Sequence, residues 1–190
     1  MKVRIGLATI GALLIGVIFY IISAFTADTS APLISLPHKT AVPTPTPIRS
    51  EMYMEPLSID TAVGRRFDVT ISIDAKNTVI NGVDSIVSYD PTAIRVVQVT
   101  AVADPTKTLT LMRRQIEDGK VYITAIKSEA NDIPTQTLPV ARLSVQALKS
   151  GTTTLMFEHN PTSTTGSTVI RADGSENILD KITSATIVVK

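Results

Sequence analysis

The chain lacks cysteine and tryptophan altogether, and aromatic residues make up only 4% of its 190 positions. Without cysteine there is no disulfide framework and no thiolate chemistry. Two histidines are too few for a histidine-built metal site, and one of them, His38, lies in a proline-rich stretch that cannot hold it rigidly. An excess of charge is missing too. With 18 basic residues against 17 acidic ones and no basic run, nothing here would attract a nucleic acid. What remains is 44% hydrophobic and long enough for one modest domain with accessory segments, which excludes a large multidomain enzyme.

Three segments follow from composition. In residues 1–27, the 21 positions from Ile5 to Phe25 carry no charge, and an α-helix needs about 20 to cross the hydrocarbon layer. Lys2 and Arg4 precede the run and no basic residue follows until Lys39, so the positive-inside rule places the N-terminus in the cytoplasm and the rest outside the cell. An uncleaved single-pass membrane anchor is favoured over a signal peptide. The apolar core exceeds the usual ~7–15 residues of such a peptide, and Phe25-Thr26-Ala27 puts Phe where a cleavage site wants a small side chain. Residues 28–56 hold six of the eleven prolines, three of them in Pro43-Thr44-Pro45-Thr46-Pro47, and read as an extended polyproline-type stalk.

Residues 57–190 form the globular candidate. Its dominant pattern has period two, clearest in Phe67-Asp68-Val69-Thr70-Ile71-Ser72-Ile73-Asp74, the signature of a half-buried strand. Similar runs at 83–89, 94–99, 121–126, 141–147, 152–158 and 183–189 are bounded by Gly, Pro, Asn or Asp. Short strands at 57–60 and near 108–112 bring the number to about eight or nine. No segment keeps a 3.6-residue period over three turns, so helix is confined to single turns such as Pro91 to Ile94. The pattern predicts an all-β sandwich.

The succession Val63-Gly64-x-x-Phe67-x-Val69-x-Ile71-x-Ile73-Asp74, then Gly82-x-Asp84-x-Ile86-Val87-Ser88-Tyr89-Asp90-Pro91, then Ile94-x-Val96-Val97-x-Val99 resembles the cohesin domain. That β-sandwich module belongs to a superfamily shared with carbohydrate-binding modules of families 2 and 3. The later Gly119-Lys120-Val121, Ala141-x-Leu143-x-Val145, Gly151-Thr152-Thr153-Thr154-Leu155 and Asp173-Gly174 extend the likeness to about residue 189. The resemblance implies a jelly-roll-like sandwich and a dockerin-like extracellular protein partner bound on the outer face of one sheet. Any calcium would be carried by that partner, with no cofactor of the chain's own, and the assembly would serve polysaccharide breakdown at a bacterial cell surface. It also implies that Asp84, five residues before Tyr89, hydrogen-bonds the partner. With Val83, Val87 and Tyr89 facing inward, Asp84, Ile86 and Ser88 face outward; Tyr122 and Thr124 are candidates for the same partner face.

Other roles find less support in the residues. A polysaccharide platform usually needs coplanar exposed aromatics, whereas Phe67, Tyr89 and Phe157 fall in the inward register and leave Tyr122 alone. His159 lies in the turn Glu158-His159-Asn160-Pro161 with no nucleophile elbow around it, and no catalytic residue is assigned. The loop acids Glu129, Asp132, Asp173, Glu176 and Asp180 would form a catalytic pair only through spatial proximity. Asp173-Gly174-Ser175-Glu176-Asn177 lacks the calcium-loop pattern and reads as a hairpin turn, so no metal ligand is assigned either.

Overall fold

A computed structural model describes residues 48–102, 109–128, 135–161 and 165–190. The expected anchor, the linker up to Pro47 and the loop acids Glu129 and Asp132 lie outside these residues. The described part is a β-sandwich of twelve strands in two sheets. One sheet runs in the order β11 (Leu179–Thr183), β1 (Ser50–Glu55), β3 (Arg66–Thr78), β8 (Thr135–Ala147), β5 (Ile94–Thr100). The other runs β2 (Ser58–Thr61), β12 (Ala185–Val189), β9 (Gly151–Phe157), β4 (Ile80–Tyr89), β7 (Lys120–Lys127), β6 (Leu109–Glu117), with β10 (Thr168–Arg171) also paired to β4.

Alternation along the strands builds the core. Val69, Ile71 and Ile73 of β3 are fully buried, as are Val87, Val121, Leu143, Leu155 and Ile187 from the strands around them. Most of their neighbours in sequence are partly or fully exposed on the outer face, which is how a period-two strand covers one face; Ser72 is the exception, buried on that face with its hydroxyl directed at Glu55. The strand end at Tyr89 is closed as its residues require. The Tyr89 hydroxyl donates to Glu117 O at 3.0 Å, Asp90 Oδ1 accepts from Thr92 N at 2.9 Å, and Ile94 N reaches back to Asp90 O at 3.1 Å, giving one helical turn. Gly64 has φ 80°, the left-handed conformation that a tight turn before β3 takes at least cost with glycine.

Four features depart from the sequence reading. Residues 50–55, placed with the linker, form β1 between β11 and β3, with Met52 and Met54 fully buried. Proline-rich composition nearby masked the alternating Met52-Tyr53-Met54. The segment read as one strand at 183–189 is split at Ser184, because β11 joins one sheet and β12 the other. The turn read at 173–177 is a local hairpin, closed by Arg171 N to Glu176 O at 2.9 Å and Ile178 N to Val169 O at 2.8 Å, but the strands on either side of it, β10 and β11, belong to different sheets. Finally, β8 begins at Thr135 and carries Pro139 across a register shift opposite Ile71 and Ser72, a bulge position where the missing N–H of proline is tolerated.

Candidate functional site

The five expected partner-face residues meet on the outer surface of β4 and β7. The antiparallel register sets Asp84 opposite Thr124, Ile86 opposite Tyr122, and Ser88 opposite Lys120. Val83, Ser85 and Val87 fill the other side of β4 and are buried. Thr124 Oγ1 donates to Asp84 Oδ1 at 2.7 Å. This fixes one carboxylate oxygen and leaves the rest of an exposed acid free to accept. Ser88 is turned sideways, its hydroxyl donating to Met156 O at 3.4 Å.

Neighbouring strands complete the surface with residues the sequence did not single out. On β6, Arg113 stands opposite Thr124, Gln115 opposite Tyr122 and Glu117 opposite Lys120. The Arg113 guanidinium lies over the Tyr122 ring, 4.9 Å from its centroid, a cation–π contact, and is held by Gln115 Oε1 at 2.6 Å. Lys120 pairs with Glu158 at 2.7 Å; that hydrogen bond raises the lysine pKa above its ordinary value. On β9, Met156 stands opposite Ser88 and is 51% exposed. The result is an apolar strip of Met156, Ile86 and Tyr122 with charged groups at its margins, the anatomy of a protein-binding surface.

A loop fixes the edge of this surface. Between the pairings of β4 with β9 and β10, the backbone of Ile86 is held by Glu158 and Ser167. Ile86 O accepts from Glu158 N at 2.8 Å, and Ile86 N donates to Ser167 Oγ at 3.0 Å. A Cβ on Gly166 would lie 2.9 Å from Glu158 O, so only glycine lets the loop fold this closely on itself. A shallow depression of about 210 Å³ results, lined by Asp84, Ile86, Arg113, Tyr122, Thr124 and Gly166 among others. Period two alone places Lys120 beside Tyr122, and so signalled that residue. Arg113 could not be placed, because β6 has a bulge between Leu111 and Arg113 that shifts the alternation by one residue.

The remaining polar residues serve the frame. His159 Nδ1 sits 3.3 Å from Ser167 O inside the loop. Asp173 and Glu176 pair with Arg171, and Asp180 pairs with Arg49. Phe67 and Tyr89 pack against the core and Phe157 is buried within it. A larger depression, about 370 Å³, lies on the other sheet beside Glu51, Tyr53 and Asp74. Its three acids are already engaged: Glu51 with Lys181 and Thr183, Asp74 with Lys76, and Glu55 with the Ser72 hydroxyl. Among the described residues no cluster of three or more acidic, histidine or cysteine side chains is arranged to hold a metal.

A two-sheet jelly-roll-like sandwich defines the class. A sequence profile of the cohesin domain matches residues 55–189, and the chain belongs to that family. Solved structures agree on the fold. The solution structure of CaCohA2 from Clostridium acetobutylicum shares 18% identity at a TM-score of 0.57, covering 75% of this chain and 91% of that one. The non-cellulosomal cohesin of the archaeon Archaeoglobus fulgidus shares 14% at a TM-score of 0.58, with 75% and 91% covered. The Coh-OlpC–Doc435 complex of Clostridium thermocellum, a type I cohesin–dockerin complex, shares 12% at 0.57, with 75% and 94% covered. A search of curated protein sequences gave no significant match.

Proposed function

We propose that this chain is a binding module, not an enzyme, that captures a dockerin-type protein partner on the outer face of β9, β4, β7 and β6. The observation that carries this reading is the alignment of Asp84 with Thr124 and of Ile86 with Tyr122 on a sheet of the cohesin fold. An oriented carboxylate beside an apolar centre recognises a partner's donors and its hydrophobic side chains together. The cohesin family match and the dockerins bound to related domains in two solved complexes support a protein as partner. Glycan stacking is less favoured, because Tyr122 already carries Arg113 on its ring face. The uncharged run from Ile5 to Phe25 behind Lys2 and Arg4 supports a membrane anchor that presents the domain outside the cell.

The test is capture of surface and secreted proteins of the source organism on the full-length chain in detergent, with calcium and again with chelator. The expected result is a partner with paired calcium loops, held only with calcium, and a loss of affinity of about tenfold or more for Asp84→Lys. Binding of polysaccharide alone would overturn the reading. Unchanged affinity of Asp84→Lys would remove this face from it.

A further inference from the structure

The outermost strand of the proposed partner face, β6, pairs only with β7 among the described residues, so within them the backbone groups on its far side have no strand partner. Residues 112–117 are all exposed, including the hydrophobic Met112 at 61% and Ile116 at 39%. Open strand edges of this kind are templates for further pairing.

The outward side chains of β6 form an ordered row. Arg113 Nη2 donates to Gln115 Oε1 at 2.6 Å, and Gln115 Nε2 donates to Glu117 Oε1 at 2.6 Å. The row therefore reads positive, neutral, negative along the strand, with a glutamine at its centre. Such a row complements itself when reversed. We propose that β6 pairs antiparallel with β6 of a second copy of this chain, about a two-fold axis through Gln115, joining the two sheets edge to edge.

That register sets Arg113 opposite Glu117 of the partner copy, and Glu117 opposite Arg113, on one face. Cross-strand pairs of opposite charge stabilise a sheet, whereas like charges directly opposite destabilise it. A two-fold at Arg114 would place that guanidinium against its own copy, and a two-fold at Ile116 would bring Gln115 against Glu117 with Arg113 unmatched. Only the Gln115 axis uses both charges. The bulge between Leu111 and Arg113 limits the pairing to 113–117. Arg114, on the opposite side of the strand, is exposed, so its charge stays solvated when the edge is covered. Because the axis stands perpendicular to the joined sheet, both partner faces turn the same way, and a dimer presents two of them side by side.

The absence of cysteine makes the test direct. Residues directly opposite in an antiparallel pair have Cα atoms about 4.5–5.5 Å apart, within the reach of a disulfide. In the full-length chain in detergent, Gln115→Cys should cross-link to a dimer on mild oxidation. Thr152→Cys, exposed on β9 away from this edge, should not. Adding Glu117→Arg to Gln115→Cys should cut the cross-linked yield about tenfold, and adding both Arg113→Glu and Glu117→Arg should restore it. Circular dichroism of each variant establishes that it is folded. Equal cross-linking through Thr152→Cys, none through Gln115→Cys, or a yield indifferent to the charge exchange would each overturn the proposal. None of these outcomes bears on the dockerin reading, which does not depend on the dimer.

Discussion

Ser85 shows how one residue can work against the fold that holds it. It lies between Val83 and Val87 on the inner side of β4 and is fully buried, and its hydroxyl has no hydrogen-bond partner among the described residues. An unmade hydrogen bond in the core costs roughly 1–3 kcal/mol. Ser85→Ala removes the oxygen and leaves the packing almost unchanged. The variant should be more stable by about 1 kcal/mol, with a melting temperature higher by about 3 °C; an equal or lower midpoint would mean that the hydroxyl is satisfied. At this scale the sequence was most informative where alternation decides direction. Asp84, Ile86 and Ser88 face away from Val83 and Val87 for that reason alone. It offered Tyr122 and Thr124 for the same face but not their register, and it missed Arg113, since both strands come from segments tens of residues away and their alignment depends on pairing that local pattern does not contain.

Among the elements, β1 and β11 are held together by an ion pair whose contribution depends on pH. The two strands pair in parallel with Glu51 opposite Lys181. Lys181 Nζ lies 2.8 Å from Glu51 Oε1, and Thr183 Oγ1 donates to the same oxygen at 3.1 Å. The bond from Lys181 is the main cause holding the Glu51 carboxyl below its ordinary value of 4.5. A lowered folded-state pKa means that the unfolded chain binds the proton more readily. The stabilisation is therefore complete above the unfolded value and lost as pH falls through the folded one. Lysine exposure limits its size, so Lys181→Met should cost about 0.5 kcal/mol at neutral pH. The difference from wild type should shrink toward zero well below pH 4.5. Denaturant midpoints at neutral and acidic pH check this, and a pH-independent difference would assign the effect to packing. Long alternating strands such as β3 were legible from composition and period. The split into β11 and β12 at Ser184 was not, because a change of sheet costs only one residue of extended chain, and the consecutive polar pair Thr183-Ser184 is too short an interruption to distinguish a change of sheet from a local irregularity.

For the molecule as a whole, the position of β1 sets where the folding unit begins. Read from composition, the domain starts at Leu57, after the last proline of the stalk. In the fold, β1 lies inside a sheet, hydrogen-bonded to β11 on one side and β3 on the other. Met52 and Met54 are both fully buried, and removing a buried methionine side chain typically costs about 2–5 kcal/mol. Ser50 adds a buried tie, its hydroxyl donating to Ile178 O at 3.1 Å. Without β1, the inner edge of β3 would be stripped and β11 left without a neighbour. Two such side chains and two ladders together rival the ~5–15 kcal/mol of net stability typical of a domain. A chain beginning at Leu57 should therefore be unfolded or aggregated, while one beginning at Thr46, where the compact unit starts, should fold cooperatively. Amide dispersion in NMR spectra and a thermal melt distinguish the two. Cooperative folding of the shorter chain would show that β1 is an accessory strand and that the sandwich closes without it.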